Sequence, residues 1–417
     1  MSVSPAKKYV FDEIHGYIVL DPLTRNLVDT PPLQRLRRIK QLSQAWYVFP
    51  GAVHTRFSHT LGVMRLAERV TDKLISDGLL ERDERDLLRV SALLHDIGHT
   101  PYSHALEYVF YTSFGVNHEE LSHMLITEEP HIRETLSDYG LSPNEVAKIV
   151  TGEHENSGFV SLLSGDLDVD RLDYLPRDAL HTGVRYGLID LERIIQTLTL
   201  DDEGNIAVHP KAIQAVESFY VSRLHMYRAV YYHKTITGYQ LLLASIYELM
   251  MLEREVKSLL DPFTSLEGIR KSVRDGTISA WDDFLIGGVI NVVLAKKLGS
   301  EILQELIKSY TNRGGYRAVY NHISFKQEAG VTPSEIEKLN KVNRSLLLRG
   351  VDTHSFRTYT ESVPVVSREK EVRVLINSKP VKISETDDSI VKNLPRYMEI
   401  VRIYSLPSVE EIVKKSL

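Results

Sequence analysis

The sequence predicts a mainly α-helical protein with small β-hairpin elements and an α+β lobe at its C-terminal end. Three observations predict it. Apolar residues recur at helical spacing through most of the first 330 residues, as in Leu61, Met64, Leu66 and Val70. Breaks such as Pro50-Gly51 and Gly98 with Pro101 cut that pattern into separate helices. After residue 330 the character changes to period-two alternation around turn residues.

Taken in order, residues 8–14 and 16–20 are two short extended pieces that turn at His15-Gly16. Thr30-Pro31-Pro32 opens a helix, with Thr30 as its cap and proline tolerated in the first turn, and the helix runs to Ile39. Helices are predicted over 58–75 and 86–94, the second ending near Gly98 and Pro101. Others cover 119–126, 143–151, 190–199, a long stretch 210–260, then 281–296 and 301–309. Val363-Pro-Val-Val and the alternating residues 371–383 around Asn377-Ser378-Lys379-Pro380 are a hairpin signal. Residues 397–404 read as another strand, and Pro407 onward as a closing helix. The expected division is a helical body, 1–330, with a metal core at about 50–240, and a C-terminal lobe, 331–417.

Composition narrows the function. The 417 residues exceed one ordinary core, and 43% apolar with 25% charged residues describes a soluble globular chain. A net charge of -6 argues against a dedicated nucleic-acid or anionic-membrane binder. No cysteine is present, so any metal must use His, Asp, Glu or main-chain oxygen. No apolar run is long enough to span a membrane, and the first eight residues lack a leader-type apolar region; a cytoplasmic protein is expected.

Seven of the 16 histidines (His54, His59, His95, His99, His104, His118, His123) fall within residues 54–123. Imidazole beside carboxylate, as in His95-Asp96, suits a borderline divalent metal, and spare histidines suit proton transfer near neutral pH. A second acidic stretch carries Asp166, Asp168, Asp170, Asp173 and Asp178. On pattern alone it is either a set of caps and a solvated face or the donor of further ligands. A third feature, Arg35, Arg37, Arg38 and Lys40, is a solvated basic face or a nucleotide contact; without interleaved aromatics it is a poor nucleic-acid surface.

At these residues the chain resembles the HD-domain phosphohydrolases, and within them the deoxynucleoside triphosphate triphosphohydrolases. The matching stretches are Asp12-Glu-Ile-His-Gly, Asp29-Thr-Pro-Pro-Leu-Gln-Arg-Leu-Arg-Arg-Ile-Lys-Gln-Leu, Val48-Phe-Pro-Gly-Ala-Val-His-Thr-Arg-Phe-Ser-His-Thr-Leu-Gly-Val, Leu94-His-Asp-Ile-Gly-His-Thr-Pro-Tyr-Ser-His and Asp168-Val-Asp-Arg-Leu-Asp-Tyr. They span about residues 8–240 in the family's order. The resemblance implies an HD-type helical core and a metal held by His59, His95, Asp96 and Asp170, with Mn, Fe, Zn, Ni, Co or Mg as the cation. His99, His104 and His118 match the family's histidines beside the metal, with Glu107 orienting an imidazole where the family has Asp; His104 is expected to protonate the departing 5′-oxygen, and the sequence leaves open which of the three is the donor. No phosphate-binding glycine loop occurs. The resemblance gives that work to Arg56, Arg171, Arg223 and Lys234, with His233 nearby. Gln41, Leu42, Tyr174, Asp178 and Tyr231 are implied as the deoxyribose pocket. Lys8, Asp29, Gln34, Arg37 and, more loosely, Arg344 match the guanine-nucleotide activator site of a vertebrate member. A dNTP substrate, a GTP or dNTP activator and a homo-oligomer, dimer or tetramer, follow as expected partners. Two other readings stay open. One is an HD phosphatase or phosphodiesterase on another nucleotide, although Gly98-His99 stands where alarmone hydrolases carry Glu-Asp. The other is a silent nucleotide sensor or single-strand nucleic-acid binder.

Overall fold

A computed structural model describes residues 7–367 and 370–417; the first six residues, and the leader reading made on them, lie outside it. The helix Arg56–Ser76 is the axis of the body. Thirteen of its 21 residues are buried. Leu61 and Met64 join one apolar cluster, while Val63, Leu66, Ala67, Val70 and Leu74 join a second. A helix apolar on two faces must be covered on both. Glu84–Leu94 and Val169–Thr182 pack directly on it, so the ends of three helices meet near its first two turns.

Three small sheets surround this body. Strands Lys8–Asp12 and Gly16–Leu20 form the expected N-terminal hairpin. Leu198–Leu200, Ile206–Val208, Arg373–Ile376 and Lys379–Lys382 form a four-stranded sheet. Its last pair is the expected hairpin, turning through Asn377 and Ser378 at φ 50° and 62°, as a tight two-residue turn requires. The third sheet places Tyr397–Ser405 between Arg317–Lys326 and Phe356–Pro364. The central strand alternates strictly: Met398, Ile400 and Tyr404 face the body, while Val401 and Ile403 face the helix Pro333–Leu348.

Several expectations are corrected. The stretch 210–260 is not one helix. Ile213–Met226 runs into a wider turn at Tyr227–Tyr231, and Lys234–Leu252 starts afresh. His233 adopts φ -62°, ψ 128° and accepts from Thr235 N through its own ring, which makes it a cap. Periodicity misses this break because both halves are apolar. Residues 198–200 are strand rather than the end of a helix. Thr30 precedes the short helix Pro31–Arg35, but its hydroxyl donates to Leu27 O and does not cap. Strand Arg317–Lys326 comes before the expected division at 330 yet pairs with Tyr397–Ser405, and Arg373–Ile376 pairs in parallel with Ile206–Val208 of the body. Among the described residues no helix is long and apolar enough to cross a membrane.

Candidate metal centre and active-site cavity

His59 projects from the first turn of Arg56–Ser76, His95 and Asp96 follow the end of Glu84–Leu94, and Asp170 lies in the first turn of Val169–Thr182. Ligand atoms of His59, His95 and Asp96 all lie within 4.8 Å of one another. Asp170 Oδ1 is 2.9 Å from His59 Nε2 and 3.7 Å from His95 Nε2. The remote ring nitrogens are already committed. His59 Nδ1 donates to Asp173 Oδ2 at 2.7 Å, and His95 Nδ1 donates to Ala92 O at 2.8 Å. Each bond fixes a tautomer and turns the Nε2 lone pair inward. His95 Nε2 is buried with no hydrogen-bond partner among the described residues, a costly state unless a cation meets it. The donor set therefore fits a divalent metal with nitrogen and oxygen ligands.

The electrostatics agree. Burial alone would lower His59, but hydrogen bonds to Asp170 and Asp173 raise it to about 10. Burial would raise Asp170, yet its bonds to His59 and His95 hold it below the ordinary carboxylate range. Asp96 is held low against its burial by Arg56, His99 and His95. The cluster favours a positive charge at its centre, whether proton or metal.

The next histidines sit on a strained connection. Tyr102 and Ser103 adopt φ 57° and 52°, a region that costs side chains about 1–3 kcal/mol each. Tyr102 N donates to Asp283 Oδ1 at 2.6 Å, and Arg56 Nε donates to Ser103 Oγ at 2.8 Å, holding the turn. His104 then opens the helix His104–Phe114 with Glu107 one turn on. Glu107 accepts from His104 Nδ1 at 2.8 Å and, through its other oxygen, from His118 Nδ1. Burial opposes the charge on Glu107, but the two imidazoles pull its pKa far down; Glu107 in turn raises His118 against the effect of burial. His99 is different: burial, then the Arg56 charge, lower it to about 3, so it is neutral. Gly98 permits this grouping, because a Cβ there would collide with His118 O and Ser122 of the neighbouring helix.

His59, His95, Asp96, Asp170, His99, His104 and His118 line a cavity of about 1170 Å³, and Glu107 bonds the last two rings without lining it. Gln41, Leu42, Arg56, Arg171, Tyr174, Asp178 and Tyr231 also reach its wall. Gln41 Oε1 and Arg171 Nε are buried without partners. Asp178 is already engaged, by His54 Nε2 at 2.7 Å and Tyr231 OH at 2.9 Å. Three expected phosphate contacts are corrected. Arg223 is buried against Asp166 and Tyr227, His233 caps a helix, and neither they nor Lys234 line the cavity. Of the activator set, Lys8 lies 3.7 Å from Asp29, Gln34 Nε2 donates to Val28 O, and Arg37 Nε donates to Gln34 Oε1 while stacking on Phe57. Arg344 is exposed on Pro333–Leu348, which packs on the C-terminal sheet instead.

Sequence reasoning missed several contributors. Asp168 caps its helix, pairs with Arg171 and is raised by burial to about 7. Arg35 is not a solvated charge: it is fully buried and donates to Ile97 O beside the His-Asp pair, and to Trp281 O. Part of the cavity wall comes from the strand Phe356–Pro364, residues Arg357 to Glu361, together with Gln240 and with Glu248, which pairs with Arg357. Asp173 and Arg177, four apart on one helix, were a legible pair, though their link to His59 was not.

The comparisons agree with this geometry. The HD domain matches residues 56–178 and an HD associated region matches 189–264. The protein MG461 of Mycoplasma genitalium is 32% identical over 72% of this chain and 76% of its own length. The chain belongs to the HD-domain family. YwfO of Bacillus subtilis is 38% identical over 58% of this chain and 55% of its own, and the human deoxynucleoside triphosphate triphosphohydrolase SAMHD1 is 33% identical over 54% and 42%. The chain thus spans about half the length of most curated relatives it matches. Among solved structures, a hypothetical protein of Aquifex aeolicus has a TM-score of 0.77 at 26% identity, covering 99% of this chain and 100% of that one. A phosphohydrolase of Bacteroides thetaiotaomicron also has a TM-score of 0.77 at 26% identity, covering 96% and 100%.

Proposed function

We propose that the protein is a metal-dependent hydrolase that converts 2′-deoxynucleoside triphosphates to the deoxynucleoside and inorganic triphosphate. The observation that carries this reading is the His59–His95–Asp96 cluster opening onto a cavity shared with the Glu107-linked histidines. The similarity to the human triphosphohydrolase supports the substrate class.

His59, His95, Asp96 and Asp170 would hold the cation. Such an ion, when bound, supplies Lewis acidity to a phosphoryl oxygen and lowers the pKa of water. His104 gives its proton to the departing 5′-oxygen: its Nδ1 is committed to Glu107, while Nε2 forms no hydrogen bond among the described residues. Neutral His99 is unsuited to that task and shapes the wall. Arg171 offers its unpartnered Nε to a phosphate, and Gln41 Oε1 accepts a 3′-hydroxyl proton. Tyr174 and Tyr231, edge to face with centroids 5.7 Å apart, crowd a ribose 2′-oxygen and give deoxy over ribo preference. The contiguous Lys8, Asp29, Gln34 and Arg37 bind a GTP or dNTP activator in a homo-oligomer, with Arg344 contributed by a neighbouring subunit.

The test is incubation with each dNTP and rNTP and Mn²⁺ or Mg²⁺. Release of triphosphate with deoxynucleoside supports the reading; release of monophosphate or pyrophosphate overturns it. Mass and rate measured with and without GTP or dGTP test the activator, and unchanged values remove it.

A further inference from the structure

The turn of the N-terminal hairpin, residues 12–16, does not line the cavity, yet it is bonded to the metal centre through one buried carboxylate. Asp12 Oδ1 accepts from Ile14 N at 2.9 Å and from His15 N at 2.8 Å, which bends the turn so that His15 enters the body with 2% of its side chain exposed. His15 Nε2 then donates to Asp173 Oδ1 at 2.6 Å. The other oxygen of Asp173 accepts from His59 Nδ1 at 2.7 Å. Arg177 closes the group: Nε donates to Asp173 Oδ2 at 2.8 Å, and Nη2 to Oδ1 at 2.9 Å and to Asp12 Oδ1 at 3.2 Å. Gly62 leaves room for this, since a Cβ there would collide with Asp173 and Arg177.

We propose that His15 is a positioning residue for the metal centre, acting through Asp173 to hold His59 with its Nε2 lone pair toward the cation. The inference rests on the reading of His59 as a ligand. Anchoring the hairpin does not require a histidine, because Ile18 and Leu20 are already buried in the core. Neutralising Asp173 does not require one either, because Arg177 supplies the charge. His15 adds a second element: Arg177 lies on the same helix as Asp173 and moves with it, whereas the His15 bond ties Oδ1 to the hairpin, so the carboxylate and the His59 ring bonded to it cannot shift without breaking a buried bond. Loss of a partner bonded directly to a ligand, as Asp173 is to His59, costs about 10–100-fold in metal affinity, and His15 acts one bond further out.

The experiment titrates chelator-treated full-length protein with Mn²⁺ by calorimetry and records thermal unfolding without metal. In His15→Gln the side-chain amide can still reach Asp173; in His15→Asn it is too short. Ile18→Ala loosens the hairpin without touching the bonded chain. His15→Asn is expected to bind Mn²⁺ about 10-fold more weakly than the parent, the lower end of what loss of a ligand's direct partner costs. His15→Gln should stay close to the parent, and Ile18→Ala should lose thermal stability while keeping its affinity. Equal affinities for the two amide variants, or a loss in Ile18→Ala as large as in His15→Asn, would overturn the proposal. His59→Ala binding Mn²⁺ as tightly as the parent would instead overturn the assignment of His59 as a ligand.

Discussion

His59 and His95 stand at one end of the cavity, and His104 and His118 stand along its side. All four rings have one nitrogen fixed by a neighbour, and the nature of that neighbour separates them. His59 bonds a carboxylate already saturated by Arg177, and His95 bonds a main-chain oxygen, so both rings turn lone pairs into a crowd of carboxylates. His104 and His118 share Glu107, and no second acid is bonded to their other nitrogens among the described residues. The first arrangement suits holding a cation; the second suits storing and releasing a proton. One residue type serves two chemistries because the partner, not the ring, decides which form is stable.

Substitutions can break this contrast, and the largest effect belongs to the ligand end. His95→Ala should abolish detectable metal binding and turnover, beyond the 10–100-fold that loss of an outer partner costs. Calorimetric titration with Mn²⁺ checks it; retained affinity would merge the two classes. Gly62→Ala should come next. It forces Asp173 away from Arg177, and breaking a buried pair costs about 3–5 kcal/mol. Denaturant unfolding measures that loss.

At the proton-transfer side, Glu107→Gln should keep the metal and lower kcat by about 10²-fold or more. The pH profile gives the sharper readout. Glu107 raises His118, so its protonated form persists to higher pH than an ordinary imidazole and is lost as pH rises through the raised value. Without the carboxylate that loss moves to lower pH, which NMR titration of the His118 ring checks. An unshifted His118 titration would deny Glu107 this role. The last effect falls on stability rather than turnover and concerns Asp283, which holds Tyr102 N and Lys40 N and is raised by burial from 3.8 to about 6. The folded chain keeps that proton where the unfolded chain has lost it. Stability therefore falls as pH rises from about 4 to about 6, by about 3 kcal/mol. Asp283→Asn should flatten that slope in unfolding measured across the window.

Much of the site was legible along the chain. The histidine enrichment, the His95-Asp96 pair and Asp170 one turn into a helix all lie in local patterns, and the structure brings these residues together. Glu107 sits one turn past His104, as helical spacing foretold, and its extra methylene lets it reach His118 as well. Arg223 misled because an arginine near a triphosphate site and an arginine buried on Asp166 look alike in sequence. The strand Phe356–Pro364 was overlooked because it is an edge strand of mixed exposure with no clean alternation.

The sequence by itself determined the helical body, the two hairpins and the kinds of side chain available, because periodicity and turn chemistry act over a few residues. The tertiary structure alone decided which nitrogen of each histidine points inward, and that His15 reaches Asp173 across 158 positions. Tautomer and orientation are set by the partner on the far side of the ring, and that partner arrives only when distant helices pack.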